Sequence, residues 1–185
     1  MKTLYALGLA VVLGLSATVA QAGDADYAVA PADIKSQLDG YLFDAARRGD
    51  TAMLAEFINS GYDLDRADGK GYTALILAAY NGRKAAVTQL LAAGADPCAE
   101  DKRGNTALLG AIFKGEVVIA RQLMAAECAT NHRNHAGQTP AMYAALFQRA
   151  EILEELRKRG ADMNARDAAG NSVQSLARGE FAGQR

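Results

Sequence analysis

"GYTALILAAYNGRKAAVTQLLAAGAD" (residues 71–96) reads as one complete structural unit. Gly71 closes a turn, and Thr73 offers a hydroxyl that can accept a hydrogen bond from a free backbone N–H at a helix start. "ALILAAY" makes a short helix whose alanines let a neighbouring helix come close. Gly82 breaks the chain. "KAAVTQLLAA" makes a second helix with Val87, Leu90 and Leu91 on one face. Gly94, in "GADP", stops it by taking the left-handed cap position.

The unit recurs. Gly71, Gly104, Gly137 and Gly170 are 33 residues apart, as are Asp68, Asp101, Asn134 and Asp167. Thr73, Thr106, Thr139 and Ser172 keep the same step, and so do Ala78, Ala111, Ala144 and Ala177. Four positions in register identify a repeat protein. "DGKG", "DKRG", "NHAG" and "DAAG" each run from Asp or Asn to Gly, the chemistry of a tight turn. "ALLGAIF" and "PAMYAALF" are the later first helices, and Gly115 repeats the break of Gly82.

These residues resemble the ankyrin repeat. Residues 71–96 carry its pattern and "GQTPAMYAAL" (137–146) carries its Thr-Pro. The resemblance spans about residues 35–178 and implies an all-α solenoid of 33-residue turn–helix–helix units, four repeats plus a C-terminal fragment. Neighbouring units bury one another's faces. The expected divisions are repeat one at 35–67 as a cap, then 68–100, 101–133 and 134–166, a partial repeat at 167–178 and a frayed tail at 179–185. The sequence departs from the family in places. Ile76, Leu109 and Met142 stand where the family has histidine after Thr-Pro-Leu, Glu127-Cys128-Ala129 replaces Gly-Ala-Asp, and Gln148 stands where glycine is usual.

Residues 1–22 read as a leader outside the fold. Lys2 precedes the apolar run Leu4 to Leu15, which ends in the small-x-small signal Ala20-Gln21-Ala22. Cleavage after Ala22 would send the protein to the periplasm, with residues 23–34 as a tether. The run is shorter than the roughly 20 residues a spanning helix needs. The alternative is an uncleaved anchor. No membrane span is expected in the mature form.

An exported chain meets an oxidising compartment, where cysteines tend to pair. Cys98 and Cys128 are the two cysteines. They fall at successive joins between repeats, Cys98 three positions later in register. Stacked repeats lie roughly 10 Å apart, and a disulfide needs Cα atoms within about 7 Å. The offset brings the chain toward the next repeat, so a Cys98–Cys128 bond is expected; the alternative is two free thiols. "CATNHRNH" (128–135) adds His132 and His135, the chain's two histidines. The spacing of Cys128, His132 and His135 is not a common closed zinc pattern and lacks a fourth ligand. Both histidines are expected as solvated residues of a turn, with no metal and no cofactor.

Nothing in the sequence assembles catalysis. There is no nucleophile elbow, and Gly-Lys-Gly in "DGKGYTA" lacks phosphate-loop spacing. Glu154 and Glu155 are adjacent, so they do not face each other, and each has a cation four residues on, Lys158 and Arg159. They read as a salt-bridged outer face.

The resemblance implies a binding surface made of turn tips and the exposed side of the first helices. By register the turns supply Lys70, Tyr72, Lys102, Arg103, Asn105, His135 and Gln138, and Arg133 and Arg166 flank them. The helices supply Arg47, Arg48, Tyr80, Asn81, Phe113, Lys114, Leu146 and Phe147. The chain has seven tyrosines, five phenylalanines and no tryptophan, yet four rings map to this face among Lys and Arg, with Glu100 the one acid placed there. Exposed aromatics with arginine make interface hot spots. The alternative is that some rings fold into the core. The partner expected is a protein with an acidic surface around an apolar centre. Basic clusters with aromatics also suit single-stranded nucleic acid, but an exported protein has little access to it. The 20 basic and 21 acidic residues give no global attraction to a polyanion either.

Three functions compete. The first is a non-catalytic protein-binding module of the periplasm. The chain resembles exported bacterial ankyrin-repeat proteins, some associated with catalase activity, which suggests an accessory role in oxidative-stress defence. The second is an immunity protein that inhibits a toxic secreted enzyme such as a phospholipase. The third is a haem or metal carrier using Cys128, His132 and His135.

Overall fold

The computed structural model describes residues 31–126, 128 and 130–182. The leader, most of the tether, Glu127, Ala129 and residues 183–185 lie outside these. The helices are α1 (Pro31–Arg48), α2 (Thr51–Asn59), α3 (Ala74–Tyr80), α4 (Lys84–Ala92), α5 (Ala107–Lys114), α6 (Val117–Ala125), α7 (Pro140–Leu146), α8 (Ala150–Lys158) and α9 (Val173–Ala177). Pairing of β type among the described residues is confined to two isolated bridges, Ala67 with Thr73 and Arg166 with Ser172. The fold is all-α.

Helices of like position stack. α1, α3, α5, α7 and α9 touch in series and form one layer; α2, α4, α6 and α8 form the other. The core runs continuously between the layers. Ala78, Ala111 and Ala144 are fully buried, as is Ala45 one period earlier. With no Cγ to keep helices apart, these positions set the close spacing of the first layer. α1 starts at Pro31, inside the segment expected as a tether. Asp39 of α1 accepts hydrogen bonds from Arg66 and, at 2.8 Å, from the Tyr62 hydroxyl, closing the N-terminal end.

The turns are built by one device used four times. Asp68 Oδ1 accepts from the backbone N–H of Lys70 (2.8 Å) and Tyr72 (3.0 Å). Asp101, Asn134 and Asp167 repeat this with the N–H groups two and four residues on. Each turn also bonds its neighbour: Lys102 N–H donates to Lys70 C=O (3.0 Å), His135 to Arg103 (2.9 Å) and Ala168 to Ala136 (2.9 Å). The turns are therefore a stack of fingers. Gly71 has φ 84°, and a Cβ there would lie 2.7 Å from the Lys102 nitrogen. Only glycine fits.

Thr73, Thr139 and Ser172 cap their helices, accepting from the N–H three residues on at 3.3, 3.3 and 3.1 Å. Thr106 does not: its hydroxyl makes no cap bond, which corrects the expectation of a cap in every repeat. Gln148 holds the left-handed conformation (φ 56°) that Gly82 and Gly115 hold in the preceding repeats. At the C-terminal end, Ala182 N–H donates to Asn171 Oδ1 (2.6 Å), so residues 179–182 turn back onto the last finger instead of fraying.

A second ladder joins the loops after the second helices. Asp65 Oδ1 accepts from Asp96 N–H (2.8 Å), and Asn131 Oδ1 accepts from Asp162 N–H (2.7 Å). Cys98 stands between them in register, and its side chain is bonded to Cys128, with Cα atoms 5.4 Å apart. The disulfide is the covalent rung of that ladder.

Candidate protein-binding face

Fingers and first helices share one side of the stack. α3 presents Tyr80 and α5 presents Phe113, about 42% and 40% exposed. Their rings stack with centroids 5.9 Å apart and planes at 11°. Phe113 meets Phe147 edge to face at 4.9 Å, and Phe147 meets Tyr143 at 5.6 Å. Four rings thus run unbroken across three repeats. The Lys114 ammonium lies 5.1 Å from the Tyr80 ring centroid, within cation–π reach.

Beside the rings is a groove of about 430 Å³ between the fingers and the helices of repeats two to four. It gathers Lys70, Tyr72, Tyr80, Arg103, Asn105 and Phe113 of the residues expected from sequence. A shallower hollow next to it gathers Lys102, Arg103, Asn105, His135 and Gln138. Lys70, Lys102, Arg103 and Lys114 have no carboxylate within ion-pair distance among the described residues. Their positive charge is open to a partner.

Other expected residues already have partners within the chain. Arg47 pairs with Asp68 (3.4 Å) and Arg48 with Asp44 (3.0 Å). Asn81 donates to Leu77 C=O at the end of α3. Arg133 donates to the carbonyls of Gly137 and Arg166, and Arg166 to that of Gly170, so both guanidiniums brace fingers. Asn105 bonds Asp101, Asn134 and Tyr143. Gln138 Oε1 accepts from Asn134. Tyr72 and Leu146 are half-buried against the core.

Three differences from the sequence reading matter here. His132 is not solvated: its Nε2–H donates to Gly104 C=O at 2.9 Å and lies 3.7 Å from Glu100. It wedges between loops, while His135 stays exposed. Asp101 joins Glu100 as an acid at this face, but its carboxylate is taken up by the N–H groups of its own finger and the Asn105 amide. Tyr143 is a site residue that register reasoning missed. It lines both hollows, and its hydroxyl donates to Asn105 Oδ1 (3.1 Å). Burial pushes its phenol above the ordinary tyrosine range. The signal was its place four residues before Phe147 on α7, one helical turn away.

Glu154 pairs with Arg157 (2.8 Å) and Lys158 (3.9 Å), and Glu155 with Arg121 (2.9 Å) and Arg159 (3.7 Å). Both belong to a salt-bridged outer face. Among the described residues no group of three His, Cys, Asp or Glu is placed to hold a metal, and no helix is long and apolar enough to cross a membrane.

Stacked fingers over a shared helix layer define a repeat-type recognition scaffold, in which the surface varies and the frame does not. The family model for ankyrin repeats (3 copies) matches residues 20–101, 42–132 and 84–167. The chain belongs to the ankyrin-repeat family, whose members are protein-binding modules and generally without catalysis. No curated protein matches the sequence.

Proposed function

We propose that the chain is a non-catalytic module that acts outside the cytoplasm and binds a protein whose contact surface is acidic around an apolar centre. The observation that carries this is the unbroken run Tyr80, Phe113, Phe147 and Tyr143 beside Lys70, Lys102, Arg103 and Lys114. Exposed rings that a partner would desolvate, with cations at the rim, have the make-up of a hot-spot centre, and open cations steer an acidic partner. Export is supported by the run ending at Ala20-Gln21-Ala22 and by the Cys98–Cys128 disulfide, a bond of oxidising compartments. The resemblance to exported bacterial ankyrin-repeat proteins extends the proposal to an accessory role in peroxide defence.

The test is affinity capture from an extract of the native host's exported fraction. The triple variant Tyr80→Ala, Phe113→Ala, Phe147→Ala is compared with Val118→Ala, which alters an exposed residue of α6. Capture lost with the triple variant and kept with Val118→Ala is the expected result. Capture kept by the triple variant places the site elsewhere.

A further inference from the structure

We propose that the groove on the finger face is a socket for one aromatic side chain of the partner, carried on a short acidic segment, and that Gly110 makes the socket. The proposal rests on the face reading above and specifies its ligand.

Gly110 sits in the interior of α5, where glycine costs helix stability relative to alanine. A structural need for it is absent. A Cβ at Gly110 would meet only Tyr80, at 3.8 and 3.9 Å, which is ordinary contact, and Gly110 has no left-handed φ. Among the described residues no backbone outside its own helix comes within 4 Å of that Cβ position. The residues one period away are Leu77 and Tyr143, both of which keep their side chains and line the same groove. The missing side chain in the middle repeat therefore leaves a gap in an otherwise filled row. Tyr80 and Phe113 wall the gap, and Lys70 and Arg103 stand at its finger edge.

The chemistry of the occupant follows. Aromatic walls at stacking and edge-to-face distance from one another favour another ring. The charges at the mouth are positive, and the one acid lining the groove, Asp101, already has its carboxylate engaged. Carboxylates next to the inserted ring would meet Lys70 and Arg103. The volume of about 430 Å³ admits a side chain of that size with its backbone at the rim.

The test uses fluorescein-labelled Asp-Glu-Asp-Phe-Asp-Glu-Asp, titrated by anisotropy against the purified full chain and its variants. The wild type binds this peptide. Binding weakens at least about tenfold when the peptide's Phe becomes Ala, or when the protein carries Gly110→Leu, which restores the residue of repeat two. Gly110→Leu keeps a Tm no lower than wild type, so its loss is not unfolding. Gly110→Ala raises Tm by a few degrees and binds within about threefold, because a methyl leaves room for a ring.

Equal binding by Gly110→Leu and wild type, with loss on Tyr80→Ala and Phe113→Ala, overturns the socket and leaves the face standing. Equal binding by all these variants overturns both. A wild-type protein that binds neither peptide overturns the socket, and the capture experiment then decides the face separately.

Discussion

Gln148 is held at φ 56°, where the preceding repeats use glycine. A left-handed non-glycine residue costs about 1–2 kcal/mol, and glycine's extra freedom in the unfolded chain offsets part of any gain from replacing it. Gln148→Gly should therefore stabilise the protein by about 0.5–1 kcal/mol, read as a small rise in Tm by calorimetry. Gly71→Ala should act the other way and more strongly. Its Cβ would press on the backbone of the next finger and its φ would be strained, for a loss of more than about 2 kcal/mol in denaturant unfolding. Single residues also mark where sequence reading stops. Gln148 stood out as a departure because glycine's use is local. The behaviour of Thr106 and His132 was not legible, because a hydroxyl's choice of partner and a ring's burial depend on atoms of neighbouring repeats.

At the scale of elements, the loop ladder after the second helices explains why cysteines sit at 98 and 128. Where flanking repeats join through Asp65 and Asn131, the middle join is covalent. The bond links residues 30 apart, which in the chain-entropy model is worth about 3–4 kcal/mol. Reducing it, or making Cys98→Ser with Cys128→Ser, should lower unfolding free energy by up to that amount without changing helix content by circular dichroism. The N-terminal end has its own lock. The Arg66 guanidinium beside Asp39 holds its carboxyl below the ordinary aspartate range, and burial with the Asp39 contact pushes the Tyr62 phenol up to about 12. A carboxyl depressed on folding adds stability above its unfolded value near pH 4, lost as pH falls through that range toward the folded value. Asp39→Asn should lower Tm at neutral pH and flatten the acid side of the Tm–pH curve below about pH 5. The disulfide was within reach of sequence because both cysteines have a register. The Asp39 cluster was not, because α1 carries no copy of the finger pattern.

For the whole molecule, the period of 33 made the stack of fingers and helices legible before any coordinates. It also brought Tyr80 and Phe113 to one side. It failed where the rings leave register. Leu146, the counterpart of Phe113, packs on the core; Phe147, expected at this face as the counterpart of Lys114, carries the run of rings on to Tyr143, which register did not mark. A reading that compares like positions cannot see a contact between unlike ones, and Gly110, a void, leaves no positive mark at all. What the stack yields is a surface with aromatic centre and cationic rim on a repeating frame. Binding through it should weaken with rising salt, since its cations are exposed; titrating the captured partner at increasing ionic strength measures this.

The most direct measurement places a photoreactive amino acid at position 80, 113 or 118 and irradiates intact cells of the native host. The account predicts one and the same cross-linked protein from positions 80 and 113, and none from Val118 on α6. An adduct from position 118 alone would contradict it.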